Sequence, residues 1–342
     1  MVSRPTITDL ARQAGVSVAT VDRVLNRRLP VREDTALRVV QAAEAIGYHA
    51  TGLLKRRLTE TPQRRFGFLL QKRQDTFYQT FGRELIAATK RATFIDGRPL
   101  VEFMDELMPA LIATRIREVA PRVDALAIVA VDHPLVNEAV EAVTASGKPV
   151  FTLLSDITTL AKTGHLGLDA RKVGRTAAWV VARIASGPGK IGILVGSHRY
   201  LNQDMAEISF RSYMREHAPE FTLLEPIINL DDERIAYEAV TDLVETNADL
   251  VGIYVSGGGQ DGLIRALRDE RAGKRIVAVC NELTPMTRAA LIDGTVDLVL
   301  ATPIADASTR IVEMMAKACS MAELPHMPPV LFSADIYMSE NI

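Results

Sequence analysis

The sequence predicts an α/β protein in which an all-helical N-terminal segment precedes a two-lobed, doubly wound body. Two observations support this prediction. Up to residue 46, apolar residues recur at three- and four-residue spacing, as they do in amphipathic helices. From Phe66 onward, short apolar runs alternate with helical patterns of about 10–15 residues, which is typical of parallel sheets covered on both faces.

The first predicted helix begins near residue 7 and ends at a tight turn. Ile7 and Leu10 lie on one face of this helix, and Thr6 or Thr8 can cap it by accepting hydrogen bonds from its free amides. Gly15 interrupts the pattern, and a glycine supplies the positive φ that such a turn needs. The segment therefore reads as the first half of a helix-turn-helix.

The second predicted helix is capped by Ser17 and is amphipathic. Its inward residues are Val21, Val24 and Leu25. Its outward residues are Val18, Ala19, Asp22, Arg23 and Asn26. Small residues at the start of a helix, with an arginine one turn later, fit a DNA major groove. A plain helical hairpin that covers a larger domain is the alternative that spacing alone leaves open.

A third amphipathic helix is predicted at 33–46 and ends at Gly47-Tyr48. The run AGVSVATVDRVLN, followed by V-x-x-x-T and AIGY, closely resembles the headpiece of the lactose-repressor and galactose-repressor (LacI/GalR) family. The resemblance is dense over about the first sixty residues and looser over the rest. It implies a DNA-binding transcriptional regulator, most simply a repressor, with a headpiece at residues 1–50.

The resemblance and the chemistry of base edges assign the expected DNA contacts. Arg23 should read a guanine, while Val18 and Ala19 should meet thymine methyl groups. Asp22, which phosphate repels, should orient Arg23 or a neighbour. The residues expected to hold phosphates are Thr6, Ser17, Thr20, Asn26, Arg32 and Thr35.

The charge distribution agrees with a nucleic-acid-binding N-terminus. Residues 1–65 hold 12 Lys and Arg against 6 Asp and Glu, a formal charge of +6, whereas the remainder holds 28 against 36, a charge of −8. The two cysteines, Cys280 and Cys319, provide neither a disulfide framework nor a metal cluster. Without an apolar leader or a run long enough to span a bilayer, the chain is expected in the cytoplasm.

Residues 51–64 form a basic linker that carries several leucines. A helix this short is marginal in water, so a solvated linker is one interpretation. The resemblance implies instead a hinge that becomes helical on DNA and wedges a leucine into the minor groove. Leu54 and Leu58 are the two candidates for this wedge.

The body is predicted at residues 65–342, with a sugar or polyol effector bound between its lobes. The first lobe is expected at about 65–162 and 284–322, and the second at about 163–283 and 323–342. The segment LLEPIINL is predicted as one strand, and VLFSADIYM as a single last strand. The resemblance implies a periplasmic-binding-protein-like fold, in which ligands bind at the carboxyl ends of the strands.

Polar and aromatic residues follow six predicted strands, and their convergence favours a polyol site. The candidates are Asp75, Phe77, Tyr78, Asp132, Asp156, Arg199, Gln203, Glu207, Gln260, Asn281 and Glu282. The resemblance assigns ring stacking to Phe77 or Tyr78, and direct hydrogen bonds to Asp132, Asp156, Asn281 and Glu282. Glu207 or Gln203 is expected to replace an arginine that the family usually has in this helix, because Arg211 is out of register.

Two other functional classes are alternatives to a DNA-binding regulator. Gly257-x-Gly259-x-x-Gly262 follows a predicted strand, and Glu282 lies twenty residues beyond, which matches the dinucleotide-binding fingerprint of an NAD-dependent oxidoreductase. No His, Lys or Tyr pair near it suits hydride chemistry, so no enzyme activity is expected. A secreted sugar-binding protein is disfavoured by the basic headpiece and the missing signal peptide.

The expected partners follow from these assignments. They are double-stranded operator DNA, a small sugar or polyol, and a second copy of the chain, with no membrane, cofactor or metal. The apolar helices of the first lobe, such as 79–92, are the expected dimer surface, because two headpieces must meet two half-sites. No C-terminal heptad repeat favours a tetramer, and the choice between dimer and tetramer stays open.

Overall fold

The structure is a computed structural model that describes residues 5–26, 31–49, 51, 61–270 and 275–342. The side chains of Asn26, Glu33 and Glu270 are outside this description. Leu54 and Leu58, the two candidates for the minor-groove wedge, lie outside the described residues. The hinge expected at 51–64 therefore stays a prediction. No helix in the described ranges is both long and apolar enough to cross a membrane.

The N-terminal segment, called the headpiece here (residues 5–49), contains three helices. They are α1 (Ile7–Ala14), α2 (Val18–Asn26) and α3 (Glu33–Ala45). Thr6, not Thr8, caps α1: its hydroxyl accepts from the amide of Asp9, whose carboxylate accepts in return from the amide of Thr6. Gly15 ends α1 with a φ of +65°, as the turn requires.

The headpiece core is built from the predicted inward faces of the three helices. Leu10, Val21 and Val39 are fully buried, and they pack in one cluster with Ala43 and Tyr48. Small aliphatic side chains let three short helices approach closely. Helices of this length are marginal alone, so this packing holds them.

The first sheet of the body contains six strands, all parallel, in the order β12-β5-β4-β3-β1-β2. They are β1 (Gln63–Gln71), β2 (Asp96–Met104), β3 (Ala125–Ile128), β4 (Val150–Leu153), β5 (Gly164–Leu168) and β12 (Val330–Phe332). The helices of this lobe are α4 (Thr76–Arg91), α5 (Pro109–Val119), α6 (Pro134–Ala145) and α12 (Ile304–Ser320), with a short 3₁₀ helix at Ala120–Arg122.

The second sheet has the order β13-β11-β10-β9-β6-β7, with β8 also paired to β6, and only β13 is antiparallel. Its strands are β6 (Lys190–Val195), β7 (Thr222–Leu223), β8 (Ile227–Ile228), β9 (Leu250–Val255), β10 (Val277–Asn281), β11 (Leu298–Ala301) and β13 (Asp335–Tyr337). Its helices are α7 (Ala170–Ile184), α8 (Leu201–His217), α9 (Glu233–Thr246), α10 (Gln260–Glu270) and α11 (Pro285–Ile292).

Each sheet buries apolar side chains on both faces. In the first lobe, one core cluster contains Phe66 and Phe68, and a separate cluster contains Leu69. Because successive residues of a strand point to opposite faces, β1 contributes to both layers. The second lobe repeats this arrangement, with Ile253 in one cluster and Tyr254 in another. The doubly wound α/β class predicted from the sequence is therefore confirmed.

The strand order corrects the predicted lobe boundaries. β5 pairs with β4 in the first sheet, so the first crossing between the sheets follows Leu168. The crossing had been expected near residues 162–164. The second crossing lies between β11 and α12, near residues 302–303, so 284–301 belongs to the second lobe. Helix α11 within that stretch had not been predicted; Thr284 caps it, and Pro285 occupies its first turn.

Two predicted strands are divided in the structure. VLFSADIYM forms β12 in the first sheet and β13 in the second, so the chain crosses for a third time at Ser333-Ala334. LLEPIINL forms the short strands β7 and β8 with Pro226 between them, since proline cannot donate to a strand ladder. A continuous β-type pattern does not reveal which sheet each half will join.

Candidate functional site

Helix α2 presents the surface predicted to read DNA. Val18, at 42% exposure, Ala19 and Arg23 are exposed, whereas Val21 and Val24 are buried against the other headpiece helices. The predicted outward positions of Val18, Ala19 and Arg23 and the predicted inward positions of Val21 and Val24 are therefore confirmed. The exposed side chains of Val18 and Arg23 are not part of the headpiece core, so they are available to base edges.

The hydroxyls at the start of α2 are fixed by local bonds. The Oγ of Ser17 accepts from the amide of Thr20 at 3.1 Å and lies 2.8 Å from the Oγ1 of Thr20. Asp22 is partly buried, Arg32 is exposed ahead of α3, and Thr35 is partly buried. Their predicted contacts with phosphate therefore stay a prediction.

The two sheets of the body enclose a cavity of about 90 Å³ at the carboxyl ends of their strands, called the cleft here. Gln71 and Ser155 reach it from the ends of β1 and β4 of the first lobe. Ser256 and Asn281 reach it from the ends of β9 and β10 of the second lobe. The position is the one at which doubly wound sheets bind ligands.

Three carboxylates line the cleft. The Oδ1 of Asp75 accepts from the amides of Phe77 at 2.8 Å and Tyr78 at 3.3 Å. This cap starts α4 three residues before the predicted residue 79. Asp231 accepts from the amide of Gly258 at 2.6 Å, and its burial raises the pKa of its carboxyl.

Glu282 is the third carboxylate, and it has a strained backbone with a φ of +65°. Its two oxygens accept from the amide of Thr302 at 2.9 Å and from the Oγ1 of Thr302 at 2.7 Å. Desolvation raises the pKa of Glu282 to about 7, against the Thr302 bonds that lower it. Because Thr302 begins the second crossing, this carboxylate is tied to the connection between the lobes.

Bonds across the cleft hold the lobes together. The Nζ of Lys72, in the first lobe, donates to the carbonyls of Leu230 at 3.0 Å and Asp231 at 2.7 Å, in the second. The amide of Asp132 donates to the carbonyl of Arg199 at 2.8 Å. These polar bonds at the cleft edge are among the contacts that hold the lobe arrangement, and a change of occupancy can alter them.

Two tyrosines meet at Gln71. The hydroxyls of Tyr78 and Tyr200 both donate to the Oε1 of Gln71, at 3.2 and 3.0 Å. Desolvation is the main cause that raises the pKa of each phenol above its usual value, so both stay protonated. Phe77 is buried in the first-lobe core beside Phe81, whereas Tyr78 is only half-buried. Of the two predicted stacking residues, Tyr78 has the more accessible ring.

Four buried oxygens that line the cleft have no hydrogen-bond partner among the described residues. They are Ser155 Oγ, Asn202 Oδ1, Gln260 Oε1 and Asn281 Oδ1. The Nδ2 of Asn281 donates to the carbonyl of Ser256 at 2.8 Å, which fixes its amide so that Oδ1 is the free atom. Unpaired buried acceptors cost free energy, so a ligand that donates to them is favoured.

Two predicted sugar-binding carboxylates do not line the cleft. Asp132 accepts from the amide and hydroxyl of Thr158 and from Asn137, at 2.9–3.1 Å. Asp156 accepts from the hydroxyl of Thr152 at 2.8 Å and from its neighbouring amide. The predicted ligand contacts of Asp132 and Asp156 are therefore corrected, since these carboxylates brace loops of the first lobe.

Two further candidates are also corrected. Arg199 is exposed outside the cleft, and it is its carbonyl that bonds across the lobes. Glu207 is buried and paired with Arg211, whose guanidinium also donates to the carbonyl of Leu224 at 2.7 Å. Gln203, the alternative to Glu207, does line the cleft: its Oε1 accepts from the amide of Gly196 at 2.7 Å.

Lys72, Tyr200 and Asp231 are among the cleft residues that sequence reasoning missed. Lys72 follows the strand FGFLLQ directly, and Asp231 follows the second half of LLEPIINL. The strand-end rule that selected the other candidates applies equally to both. Tyr200 follows the selected Arg199, and only the fold shows that its ring packs in a first-lobe cluster.

The glycine-rich loop after β9 is filled by the chain itself. The carboxylate of Asp231 accepts a hydrogen bond from the amide of Gly258. A dinucleotide pyrophosphate would need backbone amides of this kind as donors. A side chain at Gly262 would lie 2.1 Å from the carbonyl of Glu233, so this glycine permits close packing of α9 against α10. The fingerprint spacing has a packing explanation here, and an anion at the loop would meet a carboxylate.

Comparisons with known proteins agree with this geometry. Residues 6–51 match the model of bacterial regulatory proteins of the lacI family, and residues 66–323 match a periplasmic binding protein domain. The transcriptional regulator RegA of Clostridium saccharobutylicum is 42% identical over 72 residues. GalS of Salmonella typhimurium is 60% identical over 43 residues. The matched segments span only 21% and 13% of these relatives, and the same shares of this chain.

The body also resembles solved structures. An ABC transporter solute-binding protein from Agrobacterium vitis, bound with α-D-tagatopyranose, superposes with a TM-score of 0.75 at 18% identity. The match covers 82% of this chain and 96% of that one. At this identity the likeness concerns the fold alone. Because the second match spans more than half of the chain, the chain belongs to the family of periplasmic binding protein domains, and it carries an N-terminal domain that matches bacterial regulatory proteins of the lacI family.

Proposed function

We propose that this protein is a sequence-specific transcriptional regulator, acting as a repressor, whose operator affinity is set by a sugar or polyol bound in the cleft. The observation that carries the proposal is the presence, in one chain, of an exposed recognition helix and a cleft lined by unpaired buried acceptors. The relatives that match the headpiece are transcriptional regulators, and the solved structure that resembles the body holds a monosaccharide.

On the DNA side, Arg23 is the residue proposed to specify sequence. Its guanidinium is exposed one turn into α2 and can donate two bonds to the major-groove edge of a guanine. Val18 and Ala19 offer methyl groups that suit thymine. Because Val18 and Ala19 begin α2, the helix should enter the groove by that end, with neighbouring hydroxyls on phosphates.

On the effector side, the cleft offers acceptors that suit hydroxyl donors. Asn281 and Gln260 have free carbonyl oxygens, and Glu282 has accessible carboxylate lone pairs beyond those used by Thr302. Tyr78 supplies an aromatic face. The cavity of about 90 Å³ is below the ~300–1,000 Å³ of ordinary ligand sites, so a sugar should enter only when the lobes separate.

Coupling between the DNA-binding surface and the cleft would follow from this movement of the lobes. An effector must favour one lobe arrangement, or it cannot shift an equilibrium. The bonds that span the cleft, from Lys72 to the carbonyls of Leu230 and Asp231, would then be remade around the effector. In a homodimer with cytoplasmic access to DNA, the two first lobes would change their separation, and the paired headpieces would follow. No catalytic step is required.

The experiment is a thermal-shift screen against pentoses, hexoses and polyols, followed by operator binding with and without each hit. A ligand that binds only the folded protein raises the melting temperature by mass action. We expect at least one hit that changes affinity for a palindromic operator. If no polyol shifts the melting temperature, or if no hit alters operator affinity, the proposal fails.

A further inference from the structure

The charges around the cleft are strongly unbalanced. Asp75, Asp231 and Glu282 line it, whereas the one cationic side chain among the described lining residues is Lys72. The ammonium of Lys72 already donates to two backbone carbonyls. Because its donors are engaged by backbone carbonyls, this ammonium is a poor partner for an anionic ligand. Arginine, the usual clamp for phosphate and carboxylate, is missing from the described lining.

The polar atoms of the cleft that lack partners are mostly hydrogen-bond acceptors, so they too disfavour an anion. Gln260 is 7% exposed and Asn281 is half-buried, and in each case the unpaired atom is a carbonyl oxygen that can only accept. Among the four unpaired buried oxygens of the described cleft lining, only the hydroxyl of Ser155, at 1% exposure, can also donate. A ligand that fills these positions must bring donors, whereas a phosphate at neutral pH brings mostly acceptors.

The neighbouring opening extends the acidic surface. A second depression of about 490 Å³ shares Lys72, Asp75, Asp231 and Gln260 with the cleft. It adds Asp232 and Asp261, together with Glu233, whose carboxylate is paired with Arg265. Arg234, which also lines this depression, is paired with Glu238. An anionic substituent that projects from the cleft toward this opening would meet further carboxylates.

We propose that the effector is a donor-rich polyol without an anionic group, neutral or amine-bearing, and that Asp75, Asp231 and Glu282 reject sugar phosphates and sugar acids. This inference rests on the proposed function and specifies the chemistry of the same site. Above a pH of about 7, the raised pKa of Glu282, this carboxylate is ionised too, and an anion placed among the three carboxylates would be repelled. The anion would also leave Asn281 and Gln260 without donors. Both effects act in the same direction.

The test compares matched ligands on the purified full-length protein by calorimetric titration. For each neutral sugar that binds, such as D-glucose or D-ribose, the corresponding phosphate monoester, aldonic acid and amino sugar are titrated under the same conditions. We expect the phosphate and the acid to bind at least about tenfold more weakly than the parent sugar. A phosphate ester that binds as tightly as its parent overturns the inference and leaves the proposed function standing.

Isosteric variants separate charge from shape. Asp75→Asn keeps a good helix cap, and Glu282→Gln keeps an acceptor for Thr302. The double variant should reduce the discrimination against the phosphate at least about threefold, whereas Glu245→Gln, a surface control on α9, should leave it unchanged. Unaltered discrimination in a folded double variant would contradict the role of these carboxylates. A panel in which no polyol binds removes the proposed function, and this inference with it.

Discussion

The headpiece and the cleft place polar side chains in opposite environments. On α2, Arg23 is exposed and solvated, and the stability of the headpiece comes from an apolar core around Leu10 and Val21. In the cleft, Ser155 and Gln260 are 1% and 7% exposed, and their oxygens lack partners. Water satisfies an exposed group at little cost, whereas a desolvated group needs a protein or ligand partner.

This difference separates the two binding reactions. DNA binding should exchange solvated arginines and hydroxyls for phosphates and base edges, so it should depend strongly on salt. Effector binding should supply partners that the folded chain lacks, so it should depend weakly on salt and strongly on donor geometry. Variants in one region should therefore leave the other reaction intact.

The largest effect is expected from the headpiece core. Leu10→Ala removes a fully buried side chain from the three-helix cluster and should destabilise the headpiece by about 2–5 kcal/mol. Operator binding should be lost, while effector affinity, measured by calorimetry, stays at its original value. Leu37→Ala, at a position that is 47% exposed on α3, is the control and should cost little. Equal effects of the two variants would contradict this description of the core.

The next effect concerns pH and Glu282. Burial raises the pKa of this carboxyl from 4.5 to about 7, so the folded protein holds its proton more tightly than the unfolded chain does. Glu282 therefore lowers stability progressively as pH rises from about 4.5 to about 7, by at most about 3 kcal/mol.

Glu282→Gln should remove that part of the pH dependence. The variant should gain stability relative to the wild-type protein as the pH rises through this window, as measured by denaturant unfolding at several pH values. Asp231 and Asp261, whose pKa values are also raised, the latter to about 6, should keep part of the slope in both proteins. A constant difference between variant and wild type from pH 4.5 to 7 would show that Glu282 is not desolvated as described.

A smaller effect is expected from the recognition surface. Arg23→Ala should weaken operator binding by about 1–3 kcal/mol and relax the preference at one base pair in each half-site, without changing the melting temperature. Arg12→Ala, which alters an exposed arginine on α1 that is paired with Asp9, is the matched control. Its effect should be uniform across operator sequences. Full affinity of Arg23→Ala for every operator variant would refute the assignment of α2.

The headpiece could be predicted almost completely because its signals are local. The cap at Thr6, the left-handed Gly15 and the cap at Ser17 each act within four residues. The inward face of α2 follows from its period alone. The sequence left open the choice between Thr6 and Thr8 as the cap of α1. The reciprocal bonds between Thr6 and Asp9 decide that choice.

The cleft could be predicted only as a set of converging strand ends. Asp132 and Asp156 occupy such ends, yet Thr158 and Thr152 hold their carboxylates within the first lobe. Lys72 and Asp231 satisfy the same rule and do reach the cleft. The partner that decides the direction of the side chain lies 4 residues away for Asp156 and 26 residues away for Asp132. A strand-end pattern carries no information about either partner.

The lobe boundaries failed for a similar physical reason. β12 joins the first sheet by pairing with β5, although Val330 lies 162 positions after Leu168 in the sequence. Residues 333–334 then take the chain across to β13 in the second sheet. Alternation of side chains predicts a strand, whereas sheet membership depends on long-range hydrogen bonding.

The central claim is that occupancy of the cleft controls the headpiece. The most direct measurement is the fluorescence anisotropy of a labelled palindromic operator, titrated with wild-type protein and with Asn281→Ala, each with and without the polyol found in the thermal-shift screen. We predict that saturating polyol changes the wild-type dissociation constant at least about tenfold, and that the variant, which binds operator normally, shows no response at that concentration. A wild-type affinity that is unchanged by saturating polyol, or an undiminished response in Asn281→Ala, would contradict the account.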